Sequence, residues 1–428
     1  MKTIEVPALA RVEGEGGLYI GLKDGSVVEI RLDIYEPPRF FEGFLRNRYL
    51  QEVPDITARI CGICPVAYQM SSIYALENAL GVKVGPQVRA LRRLMYCGEY
   101  IESHALHIYM LQAPDLLGQP SALELAAIAP DVVKNALRMK KAGNEILINI
   151  GGRSVHPVNA CVGGFYRWPD VVPLKALLPE LEWALEAAKE CVKWSVTLPY
   201  PDLEIDYEFV ALHHPDEYGV IEGEVRSSSG HNVTIANFET AYREEHVRHS
   251  NALHGHTLNG TPYLVGPLAR LNLNHEQLLP AAQKAMKDAK IRLPLKNPYR
   301  SLIARAIELV HFYEEAIQII QTYQPEGPAH VELKVKASEG AGASEAPRGL
   351  LYHRYQIDEH GRVLFAKITP PTAQNLPRIE ADLFKLAPKI VKMPQEQATL
   401  TAEELVRSYD PCISCATHFL KLKIEEVR

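Results

Sequence analysis

The stretch RICGICPVAY, residues 59–68, places Cys61 and Cys64 one helical turn apart, directly before a proline. A second pair with the same spacing, Cys412 and Cys415, lies far along the chain in DPCISC at 410–415. Cysteine pairs of this spacing bind zinc, form a disulfide, act as a redox dithiol or bind a thiolate-ligated metal cluster. The first pair alone does not distinguish among these uses.

Helical periodicity starts directly after the first pair. The segment 65–81 has Pro65 where the first helical turn tolerates it and Gly81 where a helix commonly ends. The first pair is therefore predicted at a helix N-terminus, where partial positive charge favours thiolates. Further helical patterns predict a packed bundle, at 87–112, 122–149, 173–195, 275–323 and 400–409.

Strands are predicted in three parts of the chain. Residues 16–35 alternate apolar and polar positions around Asp24-Gly25, a dipeptide that favours a hairpin turn. Between 203 and 265, short β-branched segments with polar turns predict a small α/β excursion. HVELKVKA at 330–337 and RGLLYHRYQIDEHGRVLFAKI at 348–368 predict further strands around a turn at 359–361.

These patterns predict a mainly α fold with peripheral β structure, of the α+β class. We expect one domain over residues 1–428. Its successive parts are a β-rich N-terminal part, a helical core, the α/β excursion and a last part with helices, strands and the second cysteine motif, at 1–60, 61–202, 203–265 and 266–428.

The composition excludes several classes of protein. The net charge is −6, so no basic excess points to nucleic acid or an anionic membrane surface. The first residues have no apolar signal region, and no run approaches the roughly 18 apolar residues of a membrane helix. We therefore expect a cytoplasmic protein with neither a nucleic-acid nor a membrane partner.

Seven cysteines in 428 residues are too few for a disulfide scaffold, which favours metal or redox use of a subset. Structural zinc is the natural reading of two such pairs by spacing alone. Structural zinc pairs usually lie in small modules without a core, however, whereas these pairs bracket several hundred residues of apparently self-sufficient helix. Their surroundings must decide.

Further short motifs occur with the two cysteine pairs across nearly the whole chain: ARVEGEGG at 10–17, PRFFEG at 38–43, GGRSVHP at 151–157, GPLARLN at 266–272, EAPRGLLYH at 345–353 and PPTAQN at 370–375. In this order they resemble the large, catalytic (alpha) subunit of [NiFe] hydrogenases. The length, and Tyr68 in place of a histidine of the respiratory members, resemble the cytoplasmic, bidirectional branch that is NAD(P)-linked and includes sulfhydrogenases.

This resemblance implies the [NiFe] hydrogenase large-subunit fold and reversible heterolytic cleavage of dihydrogen into protons and electrons. It also implies a nickel ion and an iron ion, the iron carrying carbon monoxide and cyanide ligands. By the matching positions, Cys61 and Cys412 would be terminal nickel ligands. Cys64 and Cys415 would bridge the two metals, and soft thiolates suit them.

The same resemblance assigns roles around the metals. Glu13 would take the proton that dihydrogen cleavage leaves on the sulfur of Cys412, a task that suits a carboxylate. Arg348 would overhang the open coordination site. The remaining residues implied are two that contact the iron-bound cyanides and one beside the site, namely Pro347, Thr372 and Asp410.

A second metal site is also implied by the resemblance. Glu42 and His418, with a backbone carbonyl near Ile368, match the ligands of a magnesium or iron ion. Hard oxygen ligands suit magnesium, whereas the histidine would be unusual for it. Family precursors are cut directly after the residue that matches His418, so a maturation endopeptidase is a possible partner.

Electrons must leave this chain through partners. It has no spare four-cysteine cluster motif and no G-x-G-x-x-G, so we expect an iron–sulfur small subunit, and then flavin/NAD(P)-binding and ferredoxin-like subunits. Two other readings stay open. One is the quinone-site subunit of Complex I, a related protein without the metal centre. That relative has lost the four cysteines, so their presence in this chain argues against it. The other is a zinc-stabilised scaffold.

Overall fold

A computed structural model describes residues 2–23 and 26–417 of the protein. Long helices form its interior and short antiparallel sheets lie around them, so the predicted class, mainly α with peripheral β, is confirmed. One large hydrophobic core contains residues from Val6 to Ala416, and a smaller cluster surrounds Phe238 and Tyr352. None of the described helices is long and apolar enough to cross a lipid bilayer.

The α-helices are α1 (Phe41–Leu45), α2 (Val53–Ala58), α3 (Pro65–Leu80), α4 (Pro86–Leu106), α5 (Ala113–Leu116), α6 (Ala122–Ile128), α7 (Pro130–Gly151), α8 (Val171–Lys175), α9 (Leu178–Ser195), α10 (Pro267–Asn274), α11 (Pro280–Asp288), α12 (Ser301–Thr322), α13 (Pro371–Ile390), α14 (Gln395–Ser408) and α15 (Ile413–Ala416). Other helical turns are a π-helix at His107–Gln112 and 3-10 helices at Ile235–Thr240, His275–Gln277 and Pro298–Arg300.

The strands are β1 (Lys2–Val6), β2 (Gly16–Lys23), β3 (Ser26–Ile34), β4 (Ala160–Cys161), β5 (Gly164–Phe165), β6 (Val210–His213), β7 (Glu224–Ser227), β8 (Tyr242–Glu245), β9 (His254–Thr257), β10 (Ser338–Ala346), β11 (Gly349–Ile357) and β12 (Val363–Thr369). All pairings between them are antiparallel, in the orders β1-β2-β3, β10-β11-β12, β4-β5, β6-β7 and β8-β9.

The central bundle is formed by α4, α7, α9 and α12, with α12 packed against both α4 and α9. Helices α4 and α7 approach closely where Gly98 meets Gly143. A Cβ atom built on Gly143 would lie 2.7 Å from the carbonyl oxygen of Gly98, so only glycine permits this contact. The bundle predicted from helical periodicity is therefore present.

Prolines divide two of the predicted helices. The helix predicted at 65–81 is confirmed as α3, and Gly81 ends it in the left-handed conformation at φ 69°. The pattern at 122–149 forms α6 and α7, because Pro130 has no N–H to continue the first helix and instead begins the second. In the same way, Pro179 lies in the first turn of α9, after the short α8.

Helix α13 is not predicted by the sequence pattern. Its 20 residues include Pro377 and Pro388, and prolines inside a pattern argue against a helix. The helix forms nevertheless, since its buried face packs against β3, β9 and α14. Tertiary packing here outweighs the intrinsic cost of the prolines.

The strand predicted at 330–337 is wrong. The strand begins instead at Ser338 and continues through the small residues of β10, which pack directly against α3. A Cβ atom on Gly342 would lie 2.3 Å from the amide nitrogen of Ala75, so this strand needs glycine where a strand normally has a larger residue. The following hairpin, β11–β12, agrees with the prediction.

The N-terminal hairpin is confirmed as β2–β3, with β1 as a third strand that the pattern does not predict. Its predicted turn, Asp24-Gly25, lies outside the described residues. The segment 203–265 differs from the predicted α/β excursion. Its described residues form the β6–β7 and β8–β9 hairpins and a single 3-10 helix, with no α-helix among them.

The two cysteine motifs meet because three parts of the fold come together. The first pair follows α2 and starts α3, and the second pair follows α14. The segment around Glu13 pairs with Cys412 in a short parallel bridge, in which the N–H of Ile413 donates to the carbonyl of Glu13 at 2.9 Å. The N-terminal segment therefore lies directly against the second pair.

Candidate metal centre

The four cysteines of the two motifs are brought together in one buried pocket. The sulfur atoms of Cys61 and Cys412 are 3.7 Å apart, and those of Cys61, Cys412 and Cys415 all lie within 4.8 Å of one another. The thiol of Cys64 is within hydrogen-bonding reach of those of Cys61 and Cys415. All four are free thiols and almost completely buried.

The electrostatics of the pocket fit a bound cation. Hydrogen bonds from the other three thiols, first that of Cys412, hold the pKa of Cys61 well below its usual value. Burial raises the pKa values of Cys412 and Cys415. The pKa of Cys64 is also raised, since Cys61 and burial outweigh its hydrogen bond with Cys415. Four thiolates can coexist here only beside positive charge, which a thiophilic metal supplies.

Backbone amides fix the first cysteine pair. The sulfur of Cys61 accepts hydrogen bonds from the N–H groups of Ile63 at 3.4 Å and Cys64 at 3.2 Å. Cys64 is the N-cap of α3, and buried Glu99 of α4 accepts from the N–H groups of Val66 at 2.6 Å and Ala67 at 3.2 Å. Glu99 therefore caps the helix that carries the first pair.

Arg39 joins the two cysteine motifs. Its Nη2 donates to the carbonyl of Ile60 at 2.8 Å, next to Cys61, and to the carbonyl of Ser414, next to Cys415. The guanidinium group thus holds two chain segments that are remote in sequence. Sequence reasoning missed both Arg39 and Glu99, although Arg39 stands in the quoted motif PRFFEG.

Glu13 contacts the second cysteine pair. Its Oε2 accepts a hydrogen bond from the thiol of Cys412 at 3.0 Å and another from the N–H of Ser414 at 3.1 Å. The carboxylate is partly buried, so it lies between the enclosed sulfur atoms and the outside of the protein. This arrangement can accept a proton from sulfur without an intervening water molecule.

Arg348 lies beside the thiols and is held by Asp410. Its Nε donates to the Asp410 carbonyl at 2.7 Å, and its Nη2 donates to the Asp410 carboxylate at 3.0 Å. Against the effect of burial, Asp410 and the nearby Cys412 and Cys64 raise the pKa of Arg348. Its Nη1 is buried without a hydrogen-bond partner among the described residues, which leaves one strong donor for a bound group.

The backbone at Pro347 is positioned by Arg270, from the motif GPLARLN. Arg270 donates to the carbonyls of Ala346 and Pro347, both at 2.9 Å, and forms a buried ion pair with Glu308. Gly266 permits this approach because its φ is 112° and a Cβ atom there would lie 2.7 Å from the carbonyl oxygen of Arg348. Arg270 is another supporting residue that sequence reasoning did not single out.

Thr372 lies at the start of α13, and its hydroxyl accepts a hydrogen bond from the N–H of Cys412 at 3.0 Å.

Tyr68, four residues after Cys64, is fully buried near the same thiols. Burial, then the charges of Cys415 and Cys64, raise the pKa of its phenol well above the usual value. Its hydroxyl has no hydrogen-bond partner within the described part of the chain.

The residues of the predicted second metal site lie in α1 and β12. Glu42 accepts a hydrogen bond from the N–H of Ile368 at 2.9 Å, so these two residues lie side by side. His418 lies outside the described residues. The carbonyl of Thr417 accepts from the N–H of Arg39 at 2.6 Å, which puts Thr417 beside the segment that carries Glu42.

Four buried cysteine thiols that meet within a helical fold are typical of a metalloprotein with a sulfur-ligated centre. A family model described as nickel-dependent hydrogenase matches residues 39–134 and 252–418. The chain therefore belongs to the nickel-dependent hydrogenases. It is the large, catalytic subunit of a [NiFe] hydrogenase, which cleaves dihydrogen reversibly into protons and electrons at a nickel–iron centre.

Individual relatives match along nearly their whole length. The alpha subunit of sulfhydrogenase 1 from Pyrococcus furiosus is 34% identical over 423 residues, covering 98% of this chain and 98% of the relative. The alpha subunit of sulfhydrogenase 2 from the same organism is 35% identical over 430 residues, covering 98% and 100%. A crystal structure of an NAD+-reducing [NiFe]-hydrogenase in the H2-reduced state superposes with a TM-score of 0.87 at 26% identity, covering 98% and 100%.

Proposed function

We propose that Cys61 and Cys412 hold nickel, and that Cys64 and Cys415 are shared between nickel and an iron that carries carbon monoxide and cyanide. The buried convergence of the four thiols supports this ligand set. When bound, such a centre would accept the two electrons of dihydrogen while its protons leave. Membership of the nickel-dependent hydrogenases supports this ligand set over a zinc-stabilised scaffold and over a Complex I-like subunit without a metal.

The contact between Cys412 and Glu13 is the observation that carries the proposed mechanism. Cys412 takes one proton of dihydrogen on its sulfur, and Glu13 accepts that proton over 3.0 Å. The N–H of Ser414 keeps the accepting oxygen in place. Glu13 then releases the proton away from the thiols, and the second proton follows the same route when the electrons leave.

In this proposal Arg348 polarises the dihydrogen that binds beside the thiols. Asp410 occupies two of its nitrogen atoms and leaves Nη1 as the donor that faces no described partner. A fixed buried cation stabilises negative charge that develops during bond cleavage. In this proposal Pro347 and Thr372 would contact the cyanide ligands, since Pro347 directly precedes Arg348 and the Thr372 hydroxyl accepts the N–H of Cys412.

We further propose a magnesium or iron ion at Glu42 and His418, with a backbone carbonyl near Ile368 as a third ligand. The relatives carry the name subunit alpha, and we propose the same kind of assembly here. Its partners are an iron–sulfur small subunit, then flavin/NAD(P)-binding and ferredoxin-like subunits, with a maturation endopeptidase acting on the precursor. The NAD+-reducing structural relative supports NAD(P) as the acceptor. We also propose that the protein acts in the cytoplasm.

Infrared spectroscopy with metal analysis of the purified complex tests the centre. We expect one nickel, iron, and bands of carbon monoxide and cyanide bound to iron, all lost in Cys415→Ser. Cys191→Ser is the matched control, because Cys191 is equally buried but lies in α9. Nickel-loaded protein without those bands would contradict the proposed iron ligands, and unchanged bands in Cys415→Ser would contradict the ligand set.

A further inference from the structure

Two histidines and a carboxylate meet where β3, β9 and α13 pack together. His249 lies in the loop before β9, His254 is the first residue of β9, and Glu380 lies on α13. One possible ligand atom from each lies within 4.8 Å of the other two. The elements that carry these three residues are different from those that carry the four cysteines and Glu42.

The carboxylate faces both imidazole rings, with a different oxygen toward each. Nε2 of His249 is 2.9 Å from Oε1 of Glu380, and Nδ1 of His254 is 3.8 Å from Oε2. Ligands of a tetrahedral zinc ion, bound at about 2.0–2.1 Å, lie about 3.3 Å from one another. The two observed separations lie on either side of that value, so small side-chain rotations would let the three groups share an ion.

His254 is not explained by hydrogen bonding. Its side chain is 2% exposed, its Nε2 has no partner among the described residues, and its Nδ1 is too far from Glu380 for a hydrogen bond. Buried polar atoms almost always have a partner. Burial lowers the pKa of His254 to about 3, so the ring is neutral and keeps the lone pair that binds metals.

A backbone hydrogen bond fixes the orientation of the Glu380 carboxylate. Its Oε1 also accepts the N–H of Leu32 in β3 at 2.8 Å, and hydrogen bonds of this kind fix the direction of ligating carboxylates. His249 and Glu380 are 22% and 18% exposed, so solvent reaches the site from their side. A hydrogen-bonded His249–Glu380 pair without an ion would account for these two residues, but not for Nδ1 of buried His254, which faces Glu380 at 3.8 Å.

We propose that His249, His254 and Glu380 bind one divalent transition-metal ion, Zn²⁺ by the nature of the ligands, separate from the nickel–iron centre. Two imidazole nitrogens and one carboxylate oxygen are a typical zinc ligand set, with a solvent water molecule as the fourth ligand. The ion joins the loop before β9 to α13. That helix carries Thr372 in its first turn, so the ion stabilises the helix that supports Cys412.

The test uses the purified hydrogenase complex, with zinc and cobalt ions as probes. We expect one zinc per chain in addition to nickel and iron, and after exchange the visible absorption of four-coordinate cobalt. Glu380→Gln keeps an oxygen that can accept the Leu32 N–H, so it should fold normally yet bind the probe ion about tenfold or more weakly. His254→Gln should behave in the same way.

His360→Gln is the matched control, since His360 also lies beside a glutamate, Glu359, but in an exposed turn. It should bind zinc and cobalt like the unmodified complex. Binding that is equal in Glu380→Gln and in the control, or no binding above background in the unmodified complex, would overturn the site. A different metal ion held there in stoichiometric amount would overturn its assignment to zinc.

Discussion

The thiol of Cys412 donates to Oε2 of Glu13 over 3.0 Å, although 399 positions separate the two residues in sequence. The contact does not depend on the side chains alone, because the N–H of Ile413 donates to the Glu13 carbonyl at 2.9 Å. This backbone hydrogen bond keeps the Glu13 carboxylate beside the Cys412 sulfur. Glu13, the first proton acceptor outside the thiols, is therefore positioned by main-chain as well as side-chain contacts.

Replacing Glu13 by glutamine should separate proton transfer from metal binding. The amide oxygen can still accept the Ser414 N–H, so nickel and iron contents should be unchanged. Because the amide cannot take a proton from Cys412, turnover and hydrogen–deuterium exchange should fall about 10²-fold or more. Both rates are measured on the metal-loaded complex.

Glu15→Gln is the control for this prediction, since Glu15 is an exposed neighbour in the same segment. Its exchange rate should equal that of the unmodified enzyme. Full exchange activity in Glu13→Gln would show that the proton leaves by another route.

Arg39→Lys should weaken the connection between the two cysteine motifs. A single guanidinium nitrogen, Nη2, donates to both the Ile60 and the Ser414 carbonyls, and the shorter lysine side chain does not place its ammonium group at that position. A lost hydrogen bond to a charged group costs about 1.5–3 kcal/mol. We expect a lower melting temperature and faster loss of nickel to a chelator. Arg59→Lys, at an exposed pair with Asp55, should change neither, and equal nickel retention in both variants would refute the role.

Tyr68→Phe should have different effects on the metal-free and the metal-loaded protein. Its hydroxyl has no partner among the described residues, and such a buried group costs about 1–3 kcal/mol. Its removal should therefore preserve or raise the melting temperature of the metal-free chain. We expect the hydroxyl to gain a partner in the loaded enzyme, since it lies near the four cysteines, so its loss should shift the infrared bands of the iron ligands.

Tyr299→Phe serves as the comparison, because this hydroxyl is also buried without a described partner, while the nearby charges are carboxylates rather than cysteines. It should leave the infrared bands unchanged. Identical bands in Tyr68→Phe and the unmodified enzyme would separate Tyr68 from the centre.

Glu345→Gln should change how stability depends on pH. Burial raises the pKa of Glu345 to about 7, with Arg270 opposing the shift. The folded protein therefore binds a proton that the unfolded chain releases near pH 4.5, and stability from this group is lost as pH rises from about 4.5 through 7. Glutamine mimics the protonated form, so the variant should gain about 2–3 kcal/mol over the unmodified protein between pH 5 and 8.

Melting temperatures measured from pH 5 to 8 test this prediction. The difference between Glu345→Gln and the unmodified complex should grow with pH, whereas Glu359→Gln in the exposed turn should show a constant difference. A pH-independent difference for Glu345→Gln would mean that its carboxyl does not titrate in this range.

The local sequence pattern predicted those helices and strands whose formation depends mainly on their own residues. Helix α3 begins at Pro65 and ends before Gly81 as expected, and the β11–β12 hairpin turns where predicted. The pattern failed where packing decides. Helix α13 forms despite Pro377 and Pro388, and β10 forms from glycines and small residues, because helices and strands elsewhere in the chain bury them.

The residues of the candidate site also fall into a group that the sequence predicted and a group that it did not. The residues that the motifs name, such as Cys412, Glu13 and Arg348, do lie together, because the family resemblance carries spatial information that spacing lacks. The residues that hold them in position were missed. Glu99 and Arg39 act on backbone groups of distant segments, and a bond to a backbone amide or carbonyl leaves no pattern in the sequence.

Helix α3 rests on β10 with almost nothing between the two backbones. Cβ atoms on Gly340 and Gly342 would lie 2.4 Å and 2.3 Å from backbone atoms of Ala75. Since a helix moves as a stiff rod, a single methyl group at either glycine would tilt α3 and displace Cys64 at its other end. The two glycines have no reactive group, yet the close contact that they permit fixes the position of α3 and therefore of Cys64 in the metal pocket.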